Sequence, residues 1–150
     1  VEKDSWEITC GLDEINQVAQ AICSSLGDSQ FCLWLQGDLG AGKTTLTGRI
    51  LKTIGLNERV PVTSPTYTYM NDYEINGSKY AHLDLYRASD GFSPEDIGLV
   101  DVLQYQGYFV EWPEQIPNNP FLKATHKLAI SYAGDEFRTY KFIKIGSGDF

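Results

Sequence analysis

Apolar residues Ile15, Val18, Ala19, Ile22, Cys23 and Leu26 recur every three or four positions, the spacing that sets one stripe of a helix against a core, so residues 12–26 are predicted to form an amphipathic helix. Asp13 and Glu14 at its head suit the positive end of a helix dipole. The pattern then changes. Phe31-Cys32-Leu33-Trp34-Leu35 is an unbroken apolar run, the signature of a short strand buried on both faces. A glycine-rich stretch follows, after which Leu46, Ile50, Leu51 and Ile54 restore helical spacing over residues 45–54 until Gly55 stops it.

Beyond a polar loop at 55–65, residues 66–73 and 79–85 carry aromatic and β-branched side chains, and Asn76-Gly77 between them is a strong hairpin turn. Residues 93–104 are predicted as a short helix: Ser93 caps it, Pro94 fills the first turn with Glu95 and Asp96, and Ile97, Val100 and Leu103 follow. Gly107-Tyr108-Phe109-Val110 is a second buried-strand candidate that stops at Glu111, and a loop occupies 113–120. Residues 126–132 and 137–145 alternate around Ala133-Gly134-Asp135-Glu136 as a closing hairpin, leaving 146–150 as a frayed tail. The expected architecture is α/β: one domain over residues 1–150, a P-loop NTPase-like three-layer sandwich on a mixed, mainly parallel sheet with antiparallel additions.

Between the first strand and its helix lies Gly37-Asp38-Leu39-Gly40-Ala41-Gly42-Lys43-Thr44, which fits G-x-x-x-x-G-K-[ST] in its proper strand-to-helix setting. Here glycines let main-chain N–H groups turn inward around a polyphosphate. Asp38, Leu39, Gly40, Ala41, Gly42 and Thr45 supply the cradle, Lys43 reaches the β- and γ-phosphates, and the Thr44 hydroxyl ligates magnesium. The helix N-terminus adds unpaired donors and partial positive charge. No [NT]-K-x-D segment for guanine is present and no D-x-x-G follows the loop, so ATP is the expected nucleotide, with Asp13 a candidate neighbour of the base.

Phosphate chemistry also needs a carboxylate, usually at the end of a neighbouring apolar strand. Asp84 and Glu111 both qualify. Glu111 follows the cleaner strand and is the favoured acid near the metal; Asp84 then orients or deprotonates the attacking water. Either could equally be a surface or capping carboxylate until its distance from the loop is known. Ser64 and Thr66 occupy a segment suited to sensing the γ-phosphate, or a simple turn. Arg87 could neutralise phosphate or pair with an acid, and Trp112 could support a loop or meet a partner protein.

Composition narrows the setting. A net charge of −8 repels a nucleic-acid backbone, which disfavours tight direct RNA or DNA binding; Lys123, Lys127, Arg138, Lys141 and Lys144 read as solvated strand faces. Three spaced cysteines, Cys10, Cys23 and Cys32, read as small core residues in a reducing compartment, with no Cys-x-x-Cys pair for zinc. No apolar run approaches a membrane span and Val1-Glu2-Lys3-Asp4-Ser5 lacks a secretory layout, so a cytoplasmic protein without membrane contact is expected.

The chain resembles the bacterial TsaE family, formerly YjeE, small P-loop ATPases of tRNA threonylcarbamoyladenosine (t6A) biosynthesis. The likeness rests on the P-loop through Thr45, then Thr63-Ser64-Pro65-Thr66-Tyr67, His82-Leu83-Asp84-Leu85-Tyr86-Arg87 and Glu111-Trp112-Pro113, in family order. It implies ATP and Mg²⁺, with Thr44 and Glu111 at the metal and Asp84 at an acidic position important for activity. It also implies TsaB and TsaD as partners, tRNA being engaged indirectly through their complex, which ATP hydrolysis by this chain resets. A small-molecule kinase and a nucleotide-sensing module with negligible turnover are the rival readings; the scattered Arg49, Arg59, Arg87 and Arg138 give the kinase no evident arginine-bearing lid.

Overall fold

A computed structural model describes residues 4–89, 92–116 and 119–145. Seven strands form one sheet: β1 (Ser5–Gly11), β2 (Phe31–Gln36), β3 (Met70–Ile75), β4 (Ser78–Asp84), β5 (Gly107–Glu111), β6 (His126–Tyr132) and β7 (Phe137–Lys144), in the order β1-β7-β6-β2-β5-β4-β3. The block β6-β2-β5-β4 is parallel, and the β1-β7, β7-β6 and β4-β3 pairings are antiparallel. "Mainly parallel" therefore holds for the middle of the sheet, and both edges are antiparallel.

Alternation along the central strands separates two cores. Phe31, Leu33 and Leu35 of β2, with Phe109 of β5, meet Val18, Ile22, Leu46 and Ile50 of the helices α1 (Ile15–Leu26) and α2 (Lys43–Ile54). Cys32, Ala81, Leu83, Tyr108 and Val110 face the other way, against Leu85, Leu99, Tyr105 and Leu122. The third layer is thus built from loops and short turns where an α-helix was expected. Residues 93–104 form two 3₁₀ turns, Pro94–Ile97 and Val102–Gln104, each with its own capping box. Ser93 caps as predicted, but Gly98 at φ 87° leaves the helical region and Asp101 starts a second cap.

Other boundaries shift for local reasons. Leu12–Glu14 is a 3₁₀ turn ahead of α1. Residues 66–69 are a turn, with Tyr69 at φ 68° and its N–H donated to the Pro65 carbonyl, so the predicted strand over 66–73 begins only at Met70. β1 was not anticipated; Trp6, Ile8 and Cys10 alternate there over too few residues to stand out, and β7 supplies the pairing. The closing hairpin forms as expected up to Lys144, and the tail at 146–150 lies outside the described residues. No helix among the described residues is long and apolar enough to cross a membrane.

Candidate functional site

β5 inserts between β2 and β4, which brings three C-terminal strand ends to one rim: Leu35 is in register with Glu111, and Glu111 with Asp84. Ligands of open α/β sheets gather at such a rim. The loop after β2 runs directly into α2, whose first residue is Lys43, two positions earlier than predicted from periodicity. Gly42 stands before it at φ 109°, in open space, so the backbone angle and not crowding demands glycine there. Gly37 is constrained differently: a Cβ would lie 2.8 Å from the Ile130 carbonyl of β6.

The loop divides two cavities. One, about 460 Å³, is lined by Lys43, Thr44, Ser64, Asp84, Glu111 and Trp112, with Leu39, Thr66, Tyr86 and Arg87 also on its wall. Within it the Thr44 hydroxyl donates to Glu111 Oε2 over 2.8 Å. Lys43 Nζ donates to the Gly37 carbonyl at 2.5 Å and sits 3.5 Å from the Trp112 ring centroid. Burial pushes the Lys43 amine below its ordinary pKa, opposed by the negative charges of Glu111, Glu114, Asp84 and Asp38. Asp84 is held at both oxygens, Oδ1 accepting from the Tyr86 N–H and Oδ2 from the Ser64 and Thr66 hydroxyls. The 64–66 segment is thereby tied to a carboxylate at the strand rim.

The second cavity, about 670 Å³, lies across Gly40, Ala41, Gly42 and Thr45 and is walled by Asp13, Glu14 and the β6–β7 hairpin residues Asp135, Glu136 and Arg138. Asp13 is therefore beside the loop. The hairpin carries no motif, and sequence reasoning did not place it here. Arg87 is exposed at the rim of the smaller cavity and stacks 5.0 Å from the Tyr67 ring centroid, with no ion pair among the described residues. Trp112 is half-buried at φ 59°, its ring edge-on to Tyr86. Asp38 and Leu39 are exposed at the loop tip. The cysteines form no disulfide; Cys10 and Cys32 are buried and Cys23 half-buried.

His82 also escaped assignment to a role. It is fully buried on β4, and its Nε2 lies 2.5 Å from Glu111 Oε2. The signal was present in the alternation Tyr80, His82, Asp84, which puts the imidazole on the same strand face as the acid.

The sequence matches the family model described as Threonylcarbamoyl adenosine biosynthesis protein TsaE over residues 10–140. The chain belongs to the TsaE family. It is 36% identical over 120 residues to the tRNA threonylcarbamoyladenosine biosynthesis protein TsaE of Bacillus subtilis, covering 77% of this chain and 70% of that protein. To the Aquifex aeolicus protein of the same name it is 32% identical over 115 residues, covering 76% and 73% respectively. A match to the Haemophilus influenzae TsaE is 43% identical over 84 residues, covering 55% of this chain and about half, 52%, of that relative. The crystal structure of Bacillus subtilis YdiB superposes with a TM-score of 0.68 at 22% identity, over 96% of this chain and 88% of that one, a likeness of fold.

Proposed function

We propose that this chain binds ATP with Mg²⁺ in the cleft that spans both cavities, hydrolyses it, and acts as the ATPase component of tRNA t6A biosynthesis. Turnover would reset a complex of TsaB and TsaD in the cytoplasm, with tRNA engaged through that complex. The observation that carries this reading is the meeting of Thr44 and Glu111 at 2.8 Å, at the exit of a P-loop and beside Asp84 in strand register.

The donors suit a small, hard cation. Both are oxygens, and no group of three or more His, Cys, Asp or Glu side chains among the described residues could cage a metal by itself. Mg²⁺ is characteristically held by one or two protein oxygens with phosphates and waters completing the shell. When bound, it would offset the negative charge of the phosphates. Thr44 and Glu111 would hold it, Glu111 directly or through a water.

The remaining residues take separable roles. Main-chain N–H groups from Asp38 to Thr45 cradle the phosphates, and Lys43 exchanges the Gly37 carbonyl for phosphate oxygens. Asp84, fixed by three donors, orients the attacking water. Ser64 and Thr66 transmit the position of their segment to Asp84; Arg87 and Trp112 stand at the mouth, where phosphate and a partner protein would meet. Asp13 and the hairpin opposite it flank the base.

The test is to incubate purified protein with ATP and Mg²⁺, alone and with TsaB and TsaD, while separating phosphate release from phosphoryl transfer. Partner-stimulated phosphate release is expected. Transfer to a small acceptor would establish a kinase instead, and tight binding without turnover a sensor.

A further inference from the structure

On its strand face His82 lies between Tyr80 and Asp84, and the residues in register with it are Asn71 of β3 and Phe109 of β5. Its imidazole is fully buried. Its Nε2 faces a carboxylate oxygen, which can only accept, so Nε2 carries the proton. Its Nδ1 is buried without a hydrogen-bond partner among the described residues. Burying that nitrogen unpartnered is a cost that needs a return elsewhere.

The compensation is at Glu111. Its Oε2 receives two donors from different elements, Nε2 of β4 at 2.5 Å and the Thr44 hydroxyl of α2 at 2.8 Å. Thr44 alone would leave the carboxylate free to rotate when its hydroxyl turns to another partner. His82 approaches from inside the sheet, one pleat below the in-register pair Asp84 and Glu111, on an element separate from that of Thr44.

We propose that His82 is a positioning residue: its Nε2–H holds Glu111 in the rotamer that faces the P-loop, so the carboxylate keeps its place when Thr44 changes partner. This assignment rests on the ATPase reading above. It follows the general behaviour of groups behind metal-binding side chains, whose removal costs about 10- to 100-fold in metal affinity or activity.

The experiment compares wild type with His82→Leu, His82→Gln and His82→Asn, measuring phosphate release over a range of ATP and Mg²⁺ concentrations together with melting temperature. A glutamine amide nitrogen reaches the Nε2 position, whereas that of asparagine falls at Nδ1. His82→Leu and His82→Asn are expected to lose about 10- to 100-fold in kcat and to need more Mg²⁺, with little change in KM for ATP at saturating Mg²⁺. His82→Gln should recover most of that loss. If the leucine variant fails to fold, the glutamine and asparagine pair still decides the matter. Equal kcat and Mg²⁺ requirement in all four would overturn the positioning role alone; wild type that releases no phosphate, with or without partners, would overturn the ATPase reading and this role with it. A second readout is independent of turnover: nitrogen-15 NMR of the imidazole, without nucleotide, should show an Nε2–H tautomer whose proton signal shifts in Glu111→Gln. An Nδ1–H tautomer would contradict the assignment.

Discussion

The two sides of the glycine-rich loop at residues 37–44 are constructed in opposite ways. On one side Lys43, Asp84 and Glu111, 5%, 5% and 3% exposed, stand on strand ends and the first turn of a helix, where neighbouring backbone fixes each of them. On the other, Asp13, Glu14, Asp135 and Glu136 are exposed and come from a 3₁₀ turn and a hairpin tip. Buried groups on regular elements can hold a geometry to fractions of an ångström, as the handling of a developing charge requires. Exposed loops give a looser fit, sufficient to recognise a ligand and tolerant of change. Under the function proposed above, chemistry belongs to the first side and grip on the rest of the nucleotide to the second.

The comparison can be broken most directly at the buried side. Lys43→Ala and Glu111→Gln should each lower phosphate release by about 100- to 1,000-fold, the usual loss when a preorganised charge-stabilising group is removed, while circular dichroism stays unchanged; near-normal turnover in both would refute the division. Gly42→Ala comes next. Its φ of 109° is unfavourable for any side chain, so a loss of about 1–2 kcal/mol in unfolding free energy is expected by urea titration, with weaker ATP binding by calorimetry.

Changes on the exposed side should be smaller and of another kind. Asp13→Ala and Glu136→Ala should alter KM for ATP by no more than about fivefold, since exposed charged contacts are worth up to about 1 kcal/mol, and leave kcat near its starting value; a large fall in kcat would place chemistry on both sides. The smallest effect expected is at the thiols. Burial raises Cys23 to about 11 and Cys32 to about 12, so the thiolate fraction at pH 8 is far below that of a free cysteine. Both should label slowly with maleimide in folded protein, Cys32 the slower, and rapidly in denaturant.

The same contrast explains what could be read from the sequence. β2, the loop and α2 are contiguous, and each announces itself through an apolar run, glycines or helical spacing. Asp84 and Glu111 were legible as acids ending apolar strands, although only the parallel register brings them side by side. Ser93 and Pro94 correctly marked a start, yet nothing at that end of the segment foretold how soon Gly98 would end it. The wall made by the β6–β7 hairpin was invisible because its residues are ordinary turn residues, joined to Asp13 only when β1 and β7 pair in the sheet. His82 was hidden by its neighbours: a single histidine in an apolar strand has no visible purpose until the strand beside it contributes an acid.

The central position of β2 has a consequence for biosynthesis on the ribosome. Its two flanking strands are β5 and β6, so residues 31–36 acquire neither neighbour until residues 107–111 and then 126–132 have emerged. Pairings so distant along the polypeptide carry a large loop-closure entropy and are made late. A nascent chain that contains residues 37–44 but not yet β5 and β6 therefore lacks the strands that flank β2, and under the proposed function nucleotide affinity should follow the emergence of residue 132.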